Sequence, residues 1–497
     1  MRKSCPLAAR GVFLALAVSS LTLLAAADVF AKDTATKKPQ HPLHLSRRLR
    51  LEDTGYMGSD FFETPHLDQL ASQGMVFTNA YSNAANCAPA RACLLSGQYT
   101  PRHRIFNVGT GPRGQAEHRR LNHVPGTDIL DPSIKTWARC IQQAGYTTAT
   151  MGKWHLSKDP IPYGFDVNIG GTHSGSPPRG YYPPHNVPGL EKAPDDEYLT
   201  DRLSDEADQF IRDNQDKPWL LYLTHFAVHS PFHAKKELVA KYEAKKPGQL
   251  HNHVAMATMI QAVDDGVGKI QATLEELGIA ENTIVVFFSD NGGVANVTDM
   301  TPLRGYKGTY YEGGIREPFF VKWPGAVTSG TTCDVPIIGV DLYPTLCHMT
   351  GAKMPTGQAI DGVDLVPLLK QEVDSVGPRP LFWHFPAYLQ AGRNAEGYES
   401  RDPLFRTRPC SIIRLGDFKL HQYFEDGGLE LYNLRQDAGE TNNLADRLPE
   451  KTQELLGLLK KWQKETGAPV DLERNPKFDA EEEAAAIRKR KERVSGS

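Results

Sequence analysis

Two short apolar runs constrain this chain more than any other feature. Trp219-Leu-Leu-Tyr-Leu-Thr-His225 and Thr283-Ile-Val-Val-Phe-Phe-Ser289 carry almost no polar positions, the pattern of strands covered on both faces. Between them, His253–Leu277 repeats its apolar residues at helical spacing and stops at Gly278, a residue type that commonly ends helices. Helices alternating with buried strands predict an α/β sheet, with reactive groups in the loops at the strands' carboxyl ends. From about Arg379 the texture changes. Ser411-Ile-Ile-Arg-Leu, Phe418-Lys-Leu-His-Gln-Tyr and Leu429-Glu-Leu-Tyr-Asn-Leu are short alternating runs separated by turns, which predict a smaller antiparallel sheet. A helix over Lys451–Thr466 closes it. The tail from Asp479 to Ser497, acidic then basic, reads as a solvated helix or frayed end. The expected division is a catalytic domain over 32–378, a smaller α+β subdomain over 379–478 and the charged tail over 479–497.

Charge narrows the partners. Across 497 residues, 56 Lys+Arg stand against 59 Asp+Glu, a formal charge of −3, so no concentrated basic face points to nucleic acid. Residues 1–31 read as a signal peptide: Arg2, Lys3 and Arg10 precede an apolar run from Gly11 to Ala27, and Val29 and Ala31 suit a cut after Ala31. The expected mature protein is exported, periplasmic or secreted, with no membrane partner after cleavage. Six cysteines then remain, Cys87, Cys93, Cys140, Cys333, Cys347 and Cys410. They permit disulfides, and no Cys-x-x-Cys pair suggests a zinc ribbon or a redox motif.

Four segments concentrate residues that can do chemistry. The first is Cys87-Ala-Pro-Ala-Arg91-Ala-Cys93-Leu-Leu-Ser-Gly97 and the second Met151-Gly-Lys153-Trp-His155-Leu156. The third, Thr224-His225-Phe-Ala-Val-His229-Ser-Pro231, follows the first apolar run. The fourth pairs Ser289-Asp290-Asn291-Gly-Gly293 with Leu303-Arg-Gly-Tyr-Lys307-Gly-Thr-Tyr-Tyr-Glu-Gly-Gly314. Taken singly these are a buried thiol, surface polar residues and tight turns.

Together, in this order, they resemble the formylglycine-dependent sulfatases, arylsulfatase-like members of the alkaline-phosphatase superfamily. Cys-x-Pro-x-Arg with its Leu-Ser-Gly turn is the family signature, with Ala90 where serine is commoner. Glu63–Ala71, Asp341–Thr345 and Leu429–Leu434 resemble the family scaffold, extending the likeness over about Glu52 to Leu444. The resemblance implies an alkaline-phosphatase-like α/β/α sandwich with a smaller C-terminal antiparallel sheet and helix. It implies that Cys87 is oxidised to formylglycine by a maturation system, and that Arg91 holds the hydrated aldehyde. Lys153 and Lys307 would bind sulfate oxygens, and His155 would contact the diol and assist its collapse. His229, whose residue type titrates near neutrality, would protonate the leaving alcohol, with His225 and His233 as alternatives. One divalent cation, calcium, would be held by Asp290, Asn291 and the modified Cys87.

One segment departs from that pattern. Members of this type begin with an apolar strand ending in an Asp-Asp pair on the cation, which counting back from Asp53 puts at positions 47 and 48. This chain has Arg47 and Arg48, after Gln40-His-Pro-Leu-His-Leu-Ser46, which lacks the apolar run of a central parallel strand. A shift of reading frame accounts for both. With suitable codons, Asn-Ile-Leu-Phe-Ile-Ser-Val-Asp-Asp-Leu-Gly-Trp read after one inserted C becomes Gln-His-Pro-Leu-His-Leu-Ser-Arg-Arg-Leu-Arg-Leu, identical to residues 40–51. Loss of one G restores the frame at Glu52. Arginine stays protonated and cannot ligate a metal, so the chain as written is expected to be a poor sulfatase.

The expected reaction is hydrolysis of a sulfate ester on a sulfated carbohydrate, with aryl sulfates as surrogates. Alternatives are a phosphoester hydrolase of the same superfamily, which the cysteine signature disfavours, and a sulfated-glycan-binding pseudoenzyme. Loops over 170–196 and 385–408 are expected to shape the leaving-group pocket, with Tyr181, Tyr182, His185 and Arg401 as candidate sugar contacts.

Overall fold

The structure is a computed structural model that describes residues 41–46, 53–295, 297–391, 401 and 403–495. By its contacts the chain divides into Met1–Pro39 and Gln40–Ser497; the first unit, with the expected signal, lies outside the described residues, as do Arg47 and Arg48. No helix among the described residues is long and apolar enough to cross a membrane.

An eight-stranded sheet organises the second unit. Its strands are β1 (His41–Ser46), β2 (Met75–Phe77), β3 (Thr147–Gly152), β4 (Val167–Ile169), β5 (Trp219–Thr224), β6 (Val285–Ser289), β7 (Phe319–Lys322) and β8 (Thr331–Cys333). The order is β4-β3-β5-β1-β6-β7-β2-β8. Strands β4, β3, β5, β1 and β6 run parallel, and β7 is antiparallel to both β6 and β2. The helices that cover it are α1 (Pro65–Ser72), α2 (Cys87–Ser96), α3 (Trp137–Gln143), α4 (Leu199–Asn214), α5 (Val254–Glu276) and α6 (Leu342–Thr350).

Both faces of the sheet are buried, as the apolar runs require. Along β5, Leu220 and Tyr222 join one core with Trp137 and Ile141 of α3 and Leu346 of α6. Their neighbours Trp219, Leu221 and Leu223 join a second core with Leu203 of α4 and Ile260 and Val263 of α5. The period-2 alternation of a strand thus feeds two dry layers instead of one.

The occupant of the central slot differs from the sequence expectation. His41–Ser46, read above as unfit for a central strand, is β1 and pairs with both β5 and β6. The reason lies in its neighbours. Two apolar strands with unpaired inner edges would leave rows of backbone N–H and C=O groups without partners in a dry interior, at high cost. Any extended segment of the right length relieves that, even one with Pro42 opposite Leu221.

A four-stranded antiparallel sheet follows: β9 (Leu381–Phe385), β10 (Cys410–Leu415), β11 (Phe418–Tyr423) and β12 (Leu429–Asn433). Helix α7 (Pro449–Thr466) seals it with Leu455, Leu459 and Trp462 against Trp383, Ile412 and Leu420. The tail forms α8 (Ala480–Ser495). It is not wholly solvated: buried Glu483 accepts from Arg120 and Arg408, both at 2.9 Å. The six described cysteines are free thiols, so the permitted disulfides are not formed.

Candidate active site

The four chemical segments converge at the carboxyl ends of β3, β5 and β6, where a parallel sheet presents its loops. Cys87 is the first residue of α2, and Arg91 follows one turn later. That spacing puts both on one helix face. Both are buried, at 1% exposure. Arg91 donates through Nε to Asp290 Oδ2 at 3.1 Å and through Nη1 to the Lys153 carbonyl at 2.6 Å. The helix start favours negative charge at Cys87, and the Lys307 ammonium reinforces it, with Nζ 2.9 Å from Sγ.

Lys153 enters from the end of β3. Gly152 has φ +95°, and a Cβ there would lie 2.1 Å from the Thr224 carbonyl, so only glycine lets β3 and β5 close at this point. Thr224 then clamps the turn: its carbonyl accepts from Lys153 N–H at 2.7 Å and its hydroxyl donates to the Lys153 carbonyl at 2.7 Å. The Lys153 ammonium is fully buried and has no hydrogen-bond partner among the described residues. A buried cation in that state favours an anionic ligand. Thr224 was visible in the sequence only as the end of an apolar run.

His155 holds a left-handed backbone (φ +70°) and is nearly buried. A Cβ at Gly175 would lie 2.5 Å from its Nε2, which presses the 170–196 loop against the ring. The same loop positions His229. The Tyr181 hydroxyl accepts from His229 N–H at 3.0 Å and donates to the His229 carbonyl at 2.9 Å. Because a carbonyl only accepts, the 2.6 Å contact to the Ser230 carbonyl places a proton on His229 Nδ1. His225 is fully buried, and the Tyr181 N–H lies 3.5 Å from His233 Nδ1.

The expected sugar contacts are engaged with other residues of the protein, although Arg401 remains exposed. Tyr181 is buried beneath His229, Tyr182 donates to the Ala234 carbonyl (3.2 Å), and buried His185 meets Glu197 (3.1 Å). Arg401 is paired with Asp426 at 2.9 Å. Sequence reasoning sees aromatic and basic residues in a loop but not whether they face inward.

Asp290 and Asn291 follow β6 and are both buried. The Asn291 amide has no hydrogen-bond partner among the described residues, and its oxygen beside a carboxylate suits a hard cation. The described centre offers that carboxylate and that amide, against the six to eight oxygens calcium takes. The completing positions, 47 and 48, lie outside the described residues and carry arginine in the sequence. Among the described residues the donor set is therefore incomplete. Among the described residues, His66, Asp264 and Asp265 bring three ligand atoms within metal reach elsewhere.

The Lys307 loop is held from two sides. Lys307 N–H donates to Gly293 and Gly308 N–H to Ala85, both at 2.9 Å. From the smaller subdomain, Thr407 donates to the Gly308 carbonyl at 2.6 Å. Glu312 N–H donates to Glu440 at 2.6 Å, and Lys419 sits 3.0 Å from both Glu312 and Glu440. The Lys419, Arg414 and Arg316 cations hold the Glu312 carboxyl down to about 2 despite its burial. None of these clamps has a short-range sequence signal.

Comparison with known proteins identifies the family. The Sulfatase family model matches residues 46–352, and the model for the C-terminal part of N-sulphoglucosamine sulphohydrolase matches 306–466. A protein of Formosa agariphila named Sulfatase is 33% identical, covering 84% of this chain and 86% of that protein. Steryl-sulfatase of Mus musculus is 29% identical over 76% of this chain and 73% of its own. The crystal structure of Ps i-CgsB in complex with k-i-k-neocarrahexaose superposes with a TM-score of 0.70 at 27% identity, covering 92% of this chain and 98% of that one.

Proposed function

Since the chain belongs to the sulfatase family and is a sulfuric ester hydrolase, we propose that it releases sulfate from a sulfated carbohydrate outside the cytoplasm. The single observation that carries this reading is the meeting of Cys87, Arg91, Lys153 and Lys307 from three segments far apart in the chain. Members of the family generally use formylglycine and a divalent cation. Formylglycine made from Cys87 by a maturation system would supply, as its hydrate, a nucleophilic oxygen and a second hydroxyl whose loss of a proton expels sulfate.

The chain's own residues then have separable tasks. Lys153 and Lys307 bind the sulfate oxygens and stabilise charge that grows at the transition state. Arg91 fixes the nucleophile's side chain and offsets Asp290. With Nδ1–H held by the Ser230 carbonyl, protonated His229 gives its Nε2 proton to the departing alcohol oxygen, so the sugar leaves as a neutral hydroxyl. His155 removes the proton that frees the sulfate. Asp290 and Asn291 would hold part of the shell of a calcium ion. Loss of residues 1–31 on export fits such a substrate, since sulfated polysaccharides lie outside the cell.

A second reading, a sulfated-glycan binder without turnover, is favoured by Arg47 and Arg48 where an acidic pair is expected. Mass spectrometry of the tryptic peptide containing Cys87, followed by sulfate release from a panel of sulfated glycans with added calcium, separates the two. A formylglycine mass with sulfate release supports catalysis. Binding with no release from any glycan supports the binder, and neither binding nor release defeats both.

A further inference from the structure

Resting on that reading, we propose that Arg406 is a specificity-determining residue that binds a second anionic group of the sugar, a carboxylate or another sulfate, beside the scissile ester. The short strand Phe405–Thr407 pairs with Leu389–Gln390 and lies along the Lys307 loop. Arg406 Nη1 donates to the Lys307 carbonyl at 3.4 Å, and a Cβ on Gly308 would lie 3.0 Å from Arg406 Cδ. The guanidinium therefore sits at the backbone end of Lys307, whose ammonium reaches Cys87. One lysine side chain separates it from the reaction centre, a spacing that neighbouring substituents of a saccharide can bridge.

Its charge has no counter-ion among the described residues. The flanking arginines are neutralised: Arg401 pairs with Asp426 at 2.9 Å, and Arg408 with Glu425 at 2.7 Å and Glu483 at 2.9 Å. Arg406 has no carboxylate partner among the described residues, and its buried Nε has no hydrogen-bond partner there. Burial pushes this guanidinium below the ordinary arginine range, an effect the nearby Tyr306 only partly opposes. A half-buried, unpaired cation is costly to keep, and a planar fork of donors matches a carboxylate or sulfate. On the proposed function Lys153 and Lys307 bind the scissile sulfate, so Arg406 is left for a different anion.

The test is calorimetric titration of the full chain in a Cys87→Ala background, which prevents turnover. The ligands are disaccharides bearing one sulfate and no other charge, and panels of the same sugars bearing a second sulfate or a carboxylate. The unsubstituted Arg406 chain should bind at least one dianionic sugar about 10-fold tighter than its monosulfated parent. Arg406→Gln should erase that difference while leaving monosulfate affinity within about 2-fold, and Arg406→Lys should keep part of it. A loss shared equally by both ligand classes, or no loss, overturns the inference and leaves the sulfatase reading standing. So does a chain that binds no dianionic sugar more tightly than its parent. Binding of no sulfated sugar at all defeats the carbohydrate reading and this inference with it. Were Arg406→Gln unable to fold, Arg406→Lys decides: unchanged preference for dianionic sugars then counts against the role.

Discussion

Strands β1 and β6 lie side by side in the same sheet, yet they stand there for opposite reasons. Val285-Val-Phe-Phe-Ser289 is apolar, is buried throughout and delivers Asp290 and Asn291 to the site. His41-Pro-Leu-His-Leu-Ser46 occupies the next slot without the composition for it, and the residues that follow are Arg47 and Arg48. One strand earns its place by its side chains. The other is placed by its neighbours' unpaired backbone. The lesson is that a sheet's hydrogen-bond ladder can position a segment whose side chains say otherwise, but it cannot supply the chemistry expected at the segment's end.

Restoring that chemistry should have the largest effect. Replacing residues 40–51 with the apolar strand, including Arg47→Asp and Arg48→Asp, should raise sulfate release by about 10³-fold or more, because a cation contributes several kcal/mol of charge stabilisation. Equal release by the two forms would erase the contrast between β1 and β6, and an in-frame DNA read over codons 39–52 without compensating indels would end the frameshift explanation. Within the restored chain, Lys307→Ala should lower kcat/KM by about 10²- to 10³-fold. Chelation should abolish release there, with calcium restoring it; chelation without effect would show that the site does not depend on a cation.

The stability side of the comparison is smaller. Pro42→Val returns a donor to a central strand that a proline deprives of one, worth about 3 kcal/mol at most. The thermal midpoint should rise by several degrees, whereas Phe287→Ala in β6 should lower it. No shift from Pro42→Val would mean the ladder around β1 does not depend on that donor.

Acid should separate the two sheets as well. Burial pushes His384 and His421 in the smaller sheet, and neighbouring His103, down to about 3. Each depressed histidine contributes stability that is present above its unfolded value near 6.5 and is lost as pH falls toward 3, at about 1.4 kcal/mol per pH unit. Hydrogen exchange from pH 6.5 to 4 should therefore open β9 and β11 before β5 and β6. Simultaneous opening would show that the sheets form one cooperative unit.

How much was legible depends on the reach of the interaction. The run at 285–289, the helix ending near Gly278 and the alternating strands at 411–433 were readable because burial pattern and turn residues are local. Cys87, Arg91, Lys153, His155, His229 and Lys307 were readable through the resemblance of their motifs, and the structure brings Cys87, Arg91, Lys153, Asp290 and Lys307 into direct contact. Tyr181 was mistaken for a sugar contact because a loop tyrosine looks the same whether it faces solvent or braces His229.

By itself, then, the sequence determined an α/β sheet and a smaller antiparallel sheet, since periodicity acts over a few residues, and the resemblance of its motifs nominated the reactive groups. The tertiary structure alone decided three further points. It put His41–Ser46 at the centre of the sheet, it made Lys419, Glu440 and Thr407 grip the Lys307 loop, and it left Arg406 beside that loop without a counter-ion among the described residues. Each depends on groups 99 or more residues apart or on the absence of a neighbour, and no local pattern encodes either.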